Sequence, residues 1–166
     1  MSAPYRIERL AGQDRSAFSC GEPELDQYFR RYIGQDVRRD IARAFVALTS
    51  PGEIAGFYTL SASSVRHEDL PPGSTRKLPR YPVLPAVLIG RLAVALDHQA
   101  VGLGFALLAD AVTRVSDAEI GACLVLVDAK TEAAMRFYQR HGFAPLDAGH
   151  RRLFLPVGRG LTGLGR

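Results

Sequence analysis

Lysine and cysteine are scarce in this sequence, and long apolar runs are missing. Only Lys77 and Lys130 are lysines among the 21 basic residues, so nearly every cation is an arginine. Arginine presents a planar fork that pairs bidentately with phosphate and stacks on bases, which points to a phosphate-bearing partner. The compositional alternative is a GC-rich genome, which writes arginine for lysine without functional reason, so the placement of the arginines has to decide. Cys20 and Cys123 have neither metal-ligand spacing nor disulfide density, and both are expected to be buried small side chains. No run reaches the ~18 apolar residues of a membrane span, and Met1–Leu10 lacks the apolar core of a signal peptide. A cytoplasmic protein is expected. Internal repeats are absent, as are the G-x-G-x-x-G and G-K-[ST] phosphate motifs and any metal-ligand pattern.

What remains is an ordinary globular composition: 166 residues, 47% hydrophobic and 23% charged, with a net charge of +4. This suits one domain, expected over residues 1–157, followed by a loose Gly-rich tail over 158–166. Alternation over Tyr5–Leu10 predicts a short strand. After Pro23, the residues Leu25, Tyr28, Phe29, Tyr32 and Ile33 form one apolar helical stripe, which Gly34 is expected to interrupt. A second short helix is expected over Gln35–Ala42, with Val37 and Ile41 inward and Arg38, Arg39 and Arg43 outward. Ala44–Thr49 and Ile54–Ser61 read as strands joined by the hairpin signal Ser50-Pro51-Gly52. Five prolines between Asp69 and Pro85 argue for a long loop with neither helix interior nor central strand. Ala86–Leu96 then reads as a buried strand, Gly102–Val115 as a helix and Cys123–Val127 as a strand. Thr131–His141 reads as a helix closed by Gly142, and Arg152–Val157 as a last strand. The order predicts an α/β protein, a mixed central β-sheet flanked by helices on both faces.

Gln99-Ala100-Val101-Gly102-Leu103-Gly104 falls between a predicted strand and a predicted helix. A helix start offers unpaired N–H groups and the positive end of the helix dipole, and the two glycines remove Cβ atoms from the approach. A pyrophosphate would suit such a loop; a plain tight turn is the alternative. Gly90-Arg91-Leu92-Ala93-Val94, then Gln99-x-x-Gly102-x-Gly104-x-x-Leu107-Leu108, and later Ala134-x-x-Phe137-Tyr138-x-x-x-Gly142-Phe143, together resemble the GNAT family of acyl-CoA-dependent N-acetyltransferases. The resemblance implies the GNAT fold and acetyl-CoA as cosubstrate, with no metal. It assigns Leu92 and Val94 to the pantetheine arm, Gln99, Ala100, Val101, Gly102, Leu103 and Gly104 to the pyrophosphate, and Ala93 and Thr131 to the cofactor site. The sequence departs from the family pattern at Ala95, Ala100, Val101 and Thr131. Loss of a basic side chain at 101 leaves main-chain donors to hold the phosphates.

Tyr138 is the catalytic candidate. A phenol of pKa ~10 can give a proton or a strong hydrogen bond to a leaving thiolate; the alternative is a half-buried packing aromatic. No general base stands out, because His67, His98, His141 and His150 fall in loops or at helix ends and read as surface imidazoles. An α-amine has a pKa near ~8 and needs little help to lose its proton, whereas a lysine side chain needs more.

The front half narrows the resemblance. Phe18-x-Cys20-Gly21-x-x-x-Leu25-Asp26-x-Tyr28, Ile54–Ser61 and Leu78-Pro79-Arg80-Tyr81-Pro82 look like the GNAT toxins of bacterial toxin–antitoxin pairs. That resemblance implies acetylation of the α-amine of aminoacyl-tRNA, block of translation, a homodimer, and a ribbon-helix-helix antitoxin as partner. Arg30, Arg31, Arg38 and Arg39, with Arg91 and Arg140, are the candidate tRNA contacts; Arg43, Arg136, Arg151 and Arg152 extend the basic sets. Tyr81 could stack on a base, while Tyr28 and Tyr32 are expected in the core. Two other readings stay open: acetylation of a small amine or a protein N-terminus, and a non-catalytic CoA-binding or antitoxin-binding module.

Overall fold

The computed structural model describes residues 4–74, 77–146 and 151–162; His150 and residues 163–166 lie outside them. In chain order the elements are β1 (Arg6–Arg9), α1 (Pro23–Gln27), a π-helical turn (Tyr28–Tyr32), α2 (Ile33–Arg38), β2 (Arg43–Leu48) and β3 (Ile54–Arg66). Then follow β4 (Val83–Val94), α3 (Leu103–Asp117), β5 (Leu124–Asp128), α4 (Glu132–Arg140), β6 (Ala144–Pro145) and β7 (Arg152–Pro156). Among the described residues seven strands run in the order β1-β2-β3-β4-β5-β7-β6. The β4–β5 pair is parallel, while β1–β2, β2–β3, β5–β7 and β6–β7 are antiparallel, so the sheet is mixed and the protein α/β.

The chain clusters into two compact units, Met1–Ser61 with Gly90–Ala111 and Ala62–Ile89 with Val112–Arg166. In the first, β2 buries every residue from Ala44 to Leu48, because a strand covered on both faces has no polar side to present. Its core is aromatic: the Phe29 and Phe57 rings stack at 4.2 Å, and Phe18 packs on both. In the second, Leu124–Val127 of β5 is likewise fully buried, and Leu84, Ala86, Leu124, Leu126 and Phe154 form the core.

Several local expectations are corrected. Gly34 does not interrupt the helix; it lies inside α2, and the irregularity is the π turn just before it. The Ile33 N–H reaches back five residues to the Tyr28 carbonyl, and this wider turn rotates Tyr32 out to 48% exposure while Ile33 becomes fully buried. The second helix stops at Arg38 instead of reaching Ala42. Asp40 takes a φ of 59°, the chain turns away, and Ile41 is exposed rather than inward. The proline-rich stretch is not loop throughout, for β4 starts at Val83 and contains Pro85. A proline is tolerated there because pairing with β5 begins only at Ala86, and Pro85 contributes just its carbonyl, which accepts from the Cys123 N–H at 3.0 Å. Cys20 is buried as expected, but Cys123 is half-exposed. Burial pushes the Cys20 thiol up to about 11 and raises Cys123 as well, so neither is an activated nucleophile. The two-residue strand β6 is too short to carry a periodic signal in the sequence.

Candidate active site

In the first unit the two edges of β4 differ. The Ala95 N–H donates to the Ala55 carbonyl at 2.8 Å and the Arg91 N–H to Thr59 Oγ1 at 3.1 Å, both towards β3. Alternation then turns the backbone groups of Leu92 and Val94 to the other edge. Paired residues with β5 run from Ala86 to Ile89, while β4 itself continues to Val94. The last turn-free stretch of β4 therefore offers a strand edge to an extended, amide-bearing ligand. Gly56 sets the close packing behind it: a Cβ there would sit 2.9 Å from both the Ala93 carbonyl and Leu107 Cδ1.

The chain leaves β4 through a clamped loop. Gln99 Nε2 donates to the Val94 carbonyl at 3.0 Å and to the Cys20 carbonyl at 3.1 Å, so its amide fixes the loop's root. Buried Asp26 accepts from the Cys20 N–H at 2.8 Å, and the Leu96 N–H donates to the Ser19 carbonyl, tying segment 19–20 to the same root. Ala100 and Gly102 then take φ values of 64° and 86°. The first intrahelical bond of α3 is Ala106 N–H to the Gly102 carbonyl at 3.1 Å, which leaves the amides of Leu103 and Gly104 ahead of the ladder, at the positive end of a 15-residue helix. Strand edge, loop and helix start thus follow one another along the chain: main-chain groups on an open edge, then unpaired N–H groups at the positive end of a helix.

The left-handed conformation costs an alanine about 1–2 kcal/mol, part of which a glycine gives back as lost chain entropy. Ala100→Gly is accordingly expected to raise the unfolding free energy by about 0.5–1 kcal/mol, read as a higher urea midpoint at unchanged slope.

In the second unit Tyr138 lies on α4, whose start is fixed by Thr131: its Oγ1 accepts the Ala134 N–H at 3.0 Å. Gly142, at φ 107°, ends the helix. Tyr138 is buried, with Phe137 and Phe143 edge-on at 5.2 and 5.6 Å. Burial, with a smaller contribution from the Asp128 charge, pushes its phenol up to about 12. Among the described residues its hydroxyl has no hydrogen-bond partner. A cleft of about 750 Å³ in the same unit is lined by Arg66, Asp69, Asp128, Lys130 and Arg151, among others.

The acetyltransferase (GNAT) domain model matches residues 40–145, which fall in both units. The chain belongs to the GNAT acetyltransferase family. It is 39% identical to a tRNA-acetylating toxin of Mycobacterium tuberculosis, over 98% of this chain and 97% of that one. Among solved structures it is similar to AtaT complexed with acetyl-methionyl-tRNAfMet, at a TM-score of 0.86 and 31% identity, covering 93% of this chain and 96% of that one. It is also similar to a Tyr→Phe variant of AtaT bound to the C-terminus of the antitoxin AtaR and acetyl-CoA, at a TM-score of 0.80 and 29% identity, covering 95% and 96%.

The remaining candidates of this GNAT chain fall into groups. Arg31, Arg38 and Arg39 are exposed on the π turn and α2, and Arg140 is exposed on α4. Arg30 is less free than expected, because its Nε donates to the Phe18 carbonyl at 2.8 Å. Arg43 pairs with Asp40 at 3.0 Å. Arg152 drops out of the basic set: its fork is engaged bidentately by Asp128, at 2.7 and 2.9 Å. Arg91 is half-buried over the Tyr28 ring, guanidinium carbon 3.6 Å from the centroid. His98 and His141 are engaged through Nδ1 with the Tyr5 hydroxyl and the Thr162 carbonyl, rather than being plain surface imidazoles. Sequence reasoning passes over Thr59, Asp26 and Asp128 as contributors to the site. Each is polar within or beside an apolar run, and that pattern is the available signal. Among the described residues no group of His, Cys, Asp and Glu could hold a metal ion, and no helix is long and apolar enough to cross a membrane.

Proposed function

We propose that this GNAT protein is an acetyltransferase toxin that moves an acetyl group from acetyl-CoA to the α-amine of aminoacyl-tRNA and so stops translation. The observation that carries the reading is the edge of β4 beyond Ile89 leading into the start of α3, in a chain similar over nearly its whole length to a tRNA-acetylating toxin. Acetyl-CoA, when bound, supplies the acetyl thioester. Leu92 and Val94 hold the arm through main-chain groups, with Ala93 between them. Ala100 to Gly104 receive the pyrophosphate, with Gln99 as the clamp of the loop and Thr131 committing its oxygen to the helix cap. The substrate amine forms the new C–N bond as the C–S bond breaks, the Tyr138 hydroxyl protonates the departing sulfur, and the proton shed by the acylated nitrogen restores the phenol. A tyrosine is also the residue replaced in the AtaT variant bound to acetyl-CoA. An α-amine of pKa near ~8 is partly neutral at pH 7, which suits a site without a dedicated base.

Arg31, Arg38 and Arg39, with the partly engaged Arg30, contact tRNA phosphates from the first unit, and Arg140 does so from the second. The whole of residues 1–157 acts as one acetyltransferase domain, in the cytoplasm where charged tRNA is found. An antitoxin of the ribbon-helix-helix class neutralises it, and the active form is a homodimer; binding of AtaR to AtaT supports an antitoxin partner.

The test is transfer of label from acetyl-CoA to a pool of charged tRNA and to a free amino-acid ester. Removing one phosphate-binding cation flattens the log–log salt dependence by about 0.9, so Arg38→Ala with Arg39→Ala is expected to lower the slope on tRNA by up to about 2 while acetyl-CoA affinity holds. Full retention of tRNA acetylation across the salt series would sink the tRNA surface, and label on the free ester but not on tRNA would favour a small-amine enzyme.

A further inference from the structure

Arg91 is held unlike the other candidate arginines. It sits on β4 immediately before Leu92, and its own N–H is fixed by Thr59 Oγ1, on a residue only 1% exposed. Its guanidinium carbon lies 3.6 Å from the centroid of the Tyr28 ring. That is van der Waals contact between the guanidinium and the ring face, a cation–π seat that fixes where the charge sits. Tyr28 is itself 8% exposed, packed in the aromatic core of the first unit, and its hydroxyl donates to Asp36 Oδ2 at 2.8 Å. The phenol proton is held firmly: burial first, then the bond to Asp36, drive it well above its usual range, against the opposing pull of Arg91. The bond to Asp36 thereby anchors the far end of the ring on which the guanidinium rests. The result is an arginine whose face is used for positioning and whose side-chain N–H groups have no hydrogen-bond partner among the described residues.

We propose that Tyr28 and Asp36 act as positioning residues that hold Arg91 as a phosphate-binding fork beside the open edge of β4, where it takes the phosphodiester next to the aminoacylated end of the acceptor. This rests on the aminoacyl-tRNA reading and deepens it. The exposed arginines give affinity for any nucleic-acid backbone; Arg91, seated on the ring one residue from the open strand edge, fixes where the amine enters.

The experiment measures KM for charged tRNA and for acetyl-CoA, and the salt slope of the former, in the full-length protein. Arg91→Ala is expected to raise KM for charged tRNA about tenfold and to flatten the slope by about 0.7, the value for one phosphate on a single strand. Arg91→Lys and Tyr28→Leu keep the charge and lose the held fork, so they should raise KM several-fold with the slope unchanged. KM for acetyl-CoA should not move in any of them. Tyr28→Phe keeps the ring and the packing, guards against failure of Tyr28→Leu to fold, and should raise KM about threefold as the ring loses its anchor to Asp36. An unchanged KM for charged tRNA in Arg91→Ala overturns the phosphate contact. An unchanged KM in both Tyr28 variants overturns the positioning role. If the wild-type protein acetylates no charged tRNA, the aminoacyl-tRNA reading fails first, and this proposal with it.

Discussion

Tyr138→Phe is expected to fold and bind acetyl-CoA as the wild type does and to lose about 10²–10⁴ in turnover, the usual contribution of a positioned general acid. The change removes one oxygen from a buried ring whose edge-on contacts with Phe137 and Phe143 remain. Because no described residue bonds that hydroxyl, its loss leaves no buried partner unsatisfied, and the effect falls on chemistry rather than stability. The pH profile gives a second check. With the phenol pushed up to about 12, Tyr138 stays protonated throughout the working range, so it contributes no falling limb below about pH 11. The only limb left is a rise as the substrate amine loses its proton near ~8. Wild-type turnover in Tyr138→Phe would make the tyrosine a packing residue.

Gly104→Val carries the second large effect. Cβ atoms on a helix tilt towards its N-terminus, so a side chain at 104 stands over the amides of Leu103 and Gly104, where an anion would rest. Affinity for acetyl-CoA is expected to fall about 10–100-fold, a loss on the order of 1.4–2.8 kcal/mol. Gly104→Ala should show a smaller drop of the same sign. Helix propensity works the other way, favouring alanine over glycine by about 1 kcal/mol inside a helix. Tighter folding with weaker binding in the alanine variant is therefore the diagnostic outcome, measured by thermal unfolding beside calorimetric titration. Unchanged affinity in a folded Gly104→Val protein would remove the pyrophosphate from this helix start.

Legibility in the sequence follows the range of the forces involved. Strands β2 and β5 and helices α3 and α4 are written in local periodicity and, for α4, in the end signal Gly142, and they lie within a residue or two of where the pattern puts them. The Gln99–Gly104 loop is legible as a turn into a helix start because its glycines and its place before a helix are local facts. What Gln99 does is not, since its partners Cys20 and Val94 are brought to it by the fold. Arg152 reads as a free cation until Asp128, on the paired strand, claims it. Ile41 reads as inward only if the helix continues; a single left-handed residue at Asp40 ends it. Pro85 is refused a strand by a rule that holds only where a ladder bond is needed.

The π turn has a geometric consequence beyond moving Tyr32 outward. Residues eight apart on a regular α-helix, at about 100° per residue, are displaced by about 80° around the axis, whereas residues seven apart differ by only about 20°. Tyr28 and Asp36 are eight apart, and on an unbroken helix the phenol would miss the carboxylate. The five-residue bond from Ile33 to Tyr28 absorbs one residue without advancing the turn, so Asp36 returns to the azimuth a seventh neighbour would have. The helix thus carries what amounts to a one-residue insertion, and the angular slip it introduces brings the carboxylate over the phenol.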